Sequence, residues 1–341
     1  MIAPRRMYKK RALMGFGLML SGVALYYFLR RVDAERLWLA LASANLWILW
    51  IGVLTRGAVF LLNAERTRIL LLPLRRYTFF ECLLPWLSGY VADNLLPFRL
   101  GELVRIDLLA RAGHLSRSST VAVVGLDRLI DLFSLLLLVA VAVPVLALDI
   151  GNAKGLFLVA GVVVAGVIAA LWLATHPSAG SRIVAALARP LSAAAQTWLI
   201  DKAQRFSAGL GALRSRNMVV TVIGITLLAR LVGMLTIQCW LWAFGLSLPL
   251  YAPLVVLLFI SVGTMIPSSP GFIGTFHVAC AYALELMGVV PEVAASVAIA
   301  GHFMATVPWT LGGLLVSFPG IRRVWRQRRE SMRPVEHVTG T

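Results

Sequence analysis

Long apolar runs alternate along this chain with short stretches where polar residues crowd together. The runs cover residues 12–29, 46–62, 121–148, 155–175, 218–244 and 294–318. Each approaches or exceeds the roughly 20 residues that a helix needs to cross ~30 Å of hydrocarbon, which predicts six full membrane spans. Four further helical segments are too short to cross. Residues 78–92 and 102–113 reach about 22 and 18 Å, and residues 250–265 and 276–288 about 24 and 20 Å, at ~1.5 Å per residue. The first pair flanks "NLLPFRLG" and the second flanks "IPSSPGFIG". Pro97 with Gly101, and Pro267 and Pro270 with Gly271 and Gly274, break the helices there. Non-helical backbone at membrane depth must be buried in protein or line a wet cavity. Each pair is therefore predicted to form a re-entrant hairpin, over residues 78–113 and 250–288. The expected fold is all-α and polytopic, with six full spans plus the two hairpins.

Charge sets the orientation. Of 32 Lys and Arg, 23 fall in residues 1–11, 63–77, 111–118, 176–217 and 319–341, and four (Arg30, Arg31, Arg36, Lys154) in the alternate loops. This positive-inside asymmetry predicts a multi-pass protein of the inner membrane with both termini cytoplasmic. The chain threads consistently only if the two hairpins enter from opposite faces, the arrangement of inverted-repeat transporters whose broken helices meet near the midplane. One transmembrane unit, residues 12–318, is expected between two basic tails, residues 1–11 and 319–341. Residues 176–217 read as an amphipathic segment lying on the inner leaflet. The first run has a basic flank but no small-residue cleavage pattern after it, and reads as a retained anchor.

With 60% hydrophobic and 14% charged residues among 341, and a mean hydropathy of +0.85, a soluble fold is excluded. The net charge of +17 then reads as orientation and attraction to anionic lipid, about 1 kcal/mol per juxtamembrane cation, and nucleic acid is not an expected partner. Cys82, Cys239 and Cys280 sit in apolar helices without paired spacing, so neither a disulfide framework nor a metal site is expected. Nucleotide-hydrolysis, zinc-protease, serine-hydrolase and sugar-nucleotide motifs are absent. No cofactor and no enzymatic activity is expected.

The chemistry concentrates where the charge is least affordable. Five arginines (Arg56, Arg99, Arg105, Arg128, Arg230) and seven acids (Glu81, Asp93, Glu102, Asp107, Asp127, Asp131, Glu285) lie in or beside the membrane zone. At ~3 kcal/mol each, leaving them unpaired costs on the order of 35 kcal/mol, so most must pair or face water. In "LDRLIDL", Arg128 and Asp131 share a helix face, as do Asp127 and Asp131, and Arg99 or Arg105 can join them. The cluster either locks the first hairpin to its neighbour or lines a polar path for headgroups. The helix beginning near Gly101 presents free N–H groups beside Arg99 and Arg105, a seat for phosphate unless Glu102 satisfies those donors itself. In the second hairpin, Ser268, Ser269 and Thr275 can satisfy freed backbone groups, with or without a ligand. His277 and His302 read as satisfied buried histidines, and Arg56 and Arg230 as mid-span charges of either kind.

The stretches "NLLPFRLGELVRIDLLAR", "VVGLDRLIDL", "IPSSPGFIGTFHVACAYALELMGV" and "AIAGHFMATVPWTLGG", with "ERTRILL" before them, resemble in order the transmembrane region of the lysylphosphatidylglycerol synthase family. The resemblance implies a lipid translocation domain. It implies that Asn94, Pro97, Arg99, Gly101, Glu102 and Arg105, with Arg128 and Asp131, belong to one signature, and Pro267, Pro270, Gly271, Gly274 and Thr275 to a second. Asp127 and His277 stand where family members often carry Glu; the first keeps the charge and the second loses it. The synthases' cytosolic aminoacyl-transferase domain, and the glycosyltransferase domain of some relatives, have no counterpart in this sequence, so aminoacylation is not implied.

The expected function is a flippase or transporter for a phosphate-bearing or otherwise polar-headed lipid, with Asn94, Arg99, Glu102, Arg105, Arg128, Asp131 and Arg230 around the headgroup. The alternatives are a membrane-embedded transferase using Glu102 or Asp131 as base on a lipid phosphate or polyprenyl carrier, and a scaffold for a separate lipid-modifying enzyme. The expected partners are membrane lipids and, in the scaffold reading, that enzyme.

Overall fold

The computed structural model describes residues 19, 21–26, 28, 30, 32–96, 100–145, 161, 165–166, 168–169, 172, 176, 182–183, 185–186, 189, 192–265 and 269–331. Among the described residues the elements are all helical: α1 (Ala34–Ala42), α2 (Leu46–Leu71), α3 (Phe79–Leu95), α4 (Gly101–Ala112), α5 (Arg117–Val145), α6 (Ala193–Gly209), α7 (Arg216–Ala243), α8 (Ala252–Met265), α9 (Thr275–Glu285) and α10 (Pro291–Ser331). Short 3₁₀ turns stand at Gly211–Arg214 and Pro270–Phe272.

Three helices among these residues are long and apolar enough to cross a bilayer: Leu46–Leu71, Arg216–Ala243 and the Pro291–Val316 part of α10. The span expected at 121–148 falls on the 29-residue α5. The spans expected at 12–29 and 155–175, and the first part of segment 176–217, are described only in part, at the residues given above. Two boundaries move. The loop expected at 63–77 is helix as far as Leu71, and the helix expected to end at 318 continues to Ser331. Helix α1, with no buried residue, occupies the loop expected between the first two spans.

Helices α2 and α7 form an antiparallel pair that organises the rest. Asn45 caps α2 through the backbone N–H groups of Trp47 and Ile48, and Ser215 caps α7 through Met218. Small residues let the pair approach: Gly52 lies against Trp240 and Cys239, and the Thr55 and Thr236 hydroxyls are 2.9 Å apart. One hydrophobic core gathers at one end of the pair around Leu49, Trp240, Val256, Cys280, Leu284 and Ala298. A second gathers at the opposite end around Leu70, Tyr77, Cys82, Leu109, Val123 and Val222.

Each broken helix pair is rooted in a different core. Helix α3 starts at a capping box, with Thr78 Oγ1 accepting from the Glu81 N–H while Glu81 accepts from the Thr78 N–H. It stops at Leu96, whose backbone is extended (φ −109°, ψ 144°) because a residue before proline is disfavoured in the helical region. Helix α4 folds back on α3 at glycine closeness: a methyl group at Gly89 would stand 2.9 Å from the Gly101 carbonyl oxygen. The α8–α9 pair closes in the same way, a methyl group at Gly263 standing 2.6 Å from Ala279 Cβ. The 3₁₀ turn at the tip of the second pair packs on α3. A Cβ at Gly271 would lie 3.6 Å from the Asn94 carbonyl oxygen, so the tips of the two pairs meet between the two cores.

Candidate functional site

An ionic network lies near the core that holds the base of the first hairpin. Arg66, on α2 and 1% exposed, donates from Nε to Asp127 Oδ1 at 2.7 Å and from Nη1 to Asp131 Oδ1 at 2.9 Å and to Thr226 Oγ1 at 3.2 Å. Asp127 is also 1% exposed and accepts on Oδ2 from Arg105 Nη2 at 2.7 Å. That same nitrogen donates to Thr67 Oγ1 at 2.5 Å. Arg128 bridges Glu102 and Asp131, and Arg230 on α7 reaches Asp131 from Nη2 and Ser134 Oγ from Nε at 2.9 Å. Three carboxylates thus hold four guanidinium groups from α2, α4, α5 and α7, and in a water-poor interior those pairs fix the helices to one another.

Above this network stands an aromatic layer. Phe60 packs against Trp86, Tyr90 and Trp309 at ring separations of 5.1, 4.7 and 5.2 Å, joining α2, α3 and α10. Beyond it, where the two tips meet, is a cavity of about 240 Å³. A single water requires only ~10–15 Å³ by the same measure, so this space admits a hydrated polar group. Arg56 and Arg230 line it, as do Asn94 from the first tip, Phe272 from the second, and His302 from α10. No carboxylate is among its lining residues within the described part of the chain. Arg56 lies 10 residues before Arg66, about 15 Å along α2, so cavity and network stand at different depths. Arg230 contributes to both.

The second tip is held by polar contacts that the sequence places there. Gly271 (φ 67°) and Gly274 (φ 94°) take left-handed backbone, which glycine adopts without strain. Phe272 takes it too (φ 58°), a costly state for a bulky residue that its surroundings must hold. His302 Nε2 lies 2.8 Å from the Gly271 carbonyl oxygen, and the Gly274 N–H donates to His277 Nδ1 at 3.3 Å. The rings of His277 and His302 stack edge-on at 4.7 Å, so both histidines buttress the turn. Thr275 Oγ1 donates to the Phe272 carbonyl at 3.3 Å, and Pro270 opens the 3₁₀ turn.

The expected residues therefore divide. Glu102, Arg105, Asp127, Arg128, Asp131 and Arg230 come together in the network, and Asn94, Arg230 and His302 at the cavity. Asn94 Nδ2 also donates to Thr310 Oγ1 at 2.9 Å, tying the first tip to α10. Pro97, Arg99, Pro267 and Ser268 lie outside the described residues. At the start of α4, where a phosphate seat is expected, the chain supplies part of the pairing itself, and Arg105 Nε and Nη1 are buried without a hydrogen-bond partner. Asp93 Oδ1 accepts from the Gly101 N–H at 2.8 Å, and Asp127 and Thr67 take Arg105 Nη2. Sequence reasoning missed Arg66, which it placed among the basic loop residues. The signal was available: "NAERTR" is followed at once by "ILLL", so the helix runs on through the charges.

An all-helical bundle with three helices able to cross a bilayer, a buried ionic network and a polar cavity between broken helices is a multi-pass helical membrane protein. The chain belongs to the family of the lysylphosphatidylglycerol synthase TM region, whose model matches residues 14–313. No curated protein and no solved structure matches it.

Proposed function

We propose that this protein carries a polar-headed membrane lipid between leaflets of the inner membrane, through the cavity where the two hairpin tips meet. The observation that carries the reading is the rooting of the two broken helix pairs in opposite cores while Gly271 lies beside Asn94. Placed across a bilayer, with six full spans around them and both termini cytoplasmic, the pairs are re-entrant hairpins from opposite leaflets. A headgroup at their meeting point is reachable from either side as one hairpin or the other shifts, which is the geometry of alternating access. A transferase is less well supported. Asp131 is ion-paired with Arg66, Arg128 and Arg230, and Glu102 with Arg128, so both expected bases are engaged in holding helices together.

The test uses proteoliposomes containing lipids with a headgroup-side fluorophore, one anionic and one zwitterionic, and a membrane-impermeant quencher added outside. Protein-dependent loss of inner-leaflet fluorescence is expected. Vesicles with the protein that protect the inner leaflet as well as empty ones, for both lipids, would refute transport. Single cysteines report topology in the same preparation, in a Cys-free background: one at His114 is expected to label from the cytoplasmic side and one at Leu250 from the outer side. Labelling of both from one side would refute the opposed hairpins.

A further inference from the structure

The ionic network pairs three carboxylates with four guanidinium groups, and a further mid-helix guanidinium stands outside it. Arg56 makes no ion pair among the described residues, and its Nε is buried without a hydrogen-bond partner. It rests over the Phe60 ring at 5.0 Å and near Tyr90 at 6.0 Å, which supply no counter-charge. Arg230 is close enough to repel it. Arg230 commits Nε to Ser134 and Nη2 to Asp131, leaving Nη1 uncommitted among the described residues. The cavity they face has room for a hydrated group and, among the described residues, no carboxylate in its lining. The nearby hydroxyls of Ser261 and Thr264 donate to their own helix carbonyls, Leu257 and Ile260, so the guanidiniums are the charged donors facing the space.

From this we infer that the cavity is a seat for a phosphate ester of net negative charge, bound by Arg56 and Arg230 and not by Arg105 of the first hairpin. A guanidinium whose Nε is buried without a partner is costly, and a second guanidinium lining the same space adds to the cost. An anion accepting from Arg56 and from the uncommitted Nη1 of Arg230 removes that cost and forms the short, charge-assisted bonds that favour arginine at phosphates. The same lining selects against a headgroup that carries its own ammonium, because no carboxylate among the described residues lines the cavity to receive it. The inference rests on the transport reading only for the source of the phosphate, a lipid rather than a soluble ester.

The experiment titrates the purified full-length chain in detergent and follows its tryptophan fluorescence. The ligands are short-chain phosphatidylglycerol, short-chain phosphatidylcholine and glycerol 3-phosphate. Phosphatidylglycerol is expected to bind at least tenfold more tightly than phosphatidylcholine, and Arg56→Gln to weaken it at least tenfold, while Arg111→Gln on the exposed end of α4 leaves it unchanged. Ser261→Asp, which places a carboxylate in the lining of the same cavity, is expected to abolish binding in a folded protein and serves if Arg56→Gln does not fold. Wild-type affinity for phosphatidylglycerol in folded Arg56→Gln or Ser261→Asp would overturn the seat and leave transport standing. Equal affinity for the two lipids would overturn the selection for net negative charge. Glycerol 3-phosphate binding as tightly as the lipid, and lost in Arg56→Gln, would confirm the seat and remove the lipid as its source.

Discussion

Replacing Asp127 with asparagine tests the ionic network at its centre. The carboxylate is 1% exposed and is shared by Arg66 on Oδ1 and Arg105 on Oδ2, both at 2.7 Å. The amide is nearly the same size, so packing is kept while the charge is lost. Arg66 retains Asp131 at 2.9 Å, but Arg105 keeps only the Thr67 hydroxyl and Glu102 at 3.8 Å. Arg105 Nε and Nη1 already lack hydrogen-bond partners. Removing one member of a buried pair typically costs about 3–5 kcal/mol, because the partner's charge stays desolvated. At ~2 °C per kcal/mol for larger domains, the midpoint of thermal unfolding in detergent is expected to fall by about 6–10 °C. The comparison is Asp201→Asn, which breaks the exposed Asp201–Arg205 pair and is expected to cost under about 1 kcal/mol. Adding Arg105→Gln to Asp127→Asn removes the stranded charge, so the double variant is expected to regain part of the loss, with a coupling above ~1 kcal/mol. If Asp127→Asn melted with the wild type, or no better separated from it than Asp201→Asn, the network would not be the lock described here.

Further outcomes follow from the packing. Gly101→Ala is expected to destabilise by about 1–3 kcal/mol, since a methyl group there collides with the Gly89 carbonyl and the Asp93 carboxylate across the hairpin; Gly125→Ala, which meets nothing within 4 Å, serves as the neutral control in the same melt. Gly274→Ala combines a left-handed backbone (φ 94°) with a Cβ placed 2.7 Å from the Ser21 carbonyl oxygen, and is expected to lower both the melting midpoint and lipid movement. Cys82, Cys239 and Cys280 are all buried, so a maleimide is expected to leave the native protein unmodified and to label all three thiols after denaturation, as counted by mass spectrometry.

The hairpins are packed into opposite hydrophobic cores at their bases and are more polar towards their tips. Leucine, valine and alanine fill the ends of the α2–α7 pair, whereas the middle is lined by arginine, aromatic rings and hydroxyls. A shift of either hairpin about its base repacks few apolar contacts at the tip. The strained Phe272 backbone and the two histidines that hold it lie where such a shift would be felt.

The sequence by itself determined the helical class, the membrane setting and the place of each break, because these depend on local properties: the length of an apolar run, a proline after Leu96, a glycine where φ turns positive. It also marked Arg128 with Asp131, since residues three apart on one helix must meet. Which guanidinium meets which carboxylate across helices was decided only in three dimensions. Arg66 and Arg56 lie on the same helix, yet α5 brings Asp127 and Asp131 to the first and nothing acidic to the second. Partner choice follows from which helices are neighbours and at what height, a consequence of how the whole bundle buries its apolar surface, and no short stretch of sequence contains it.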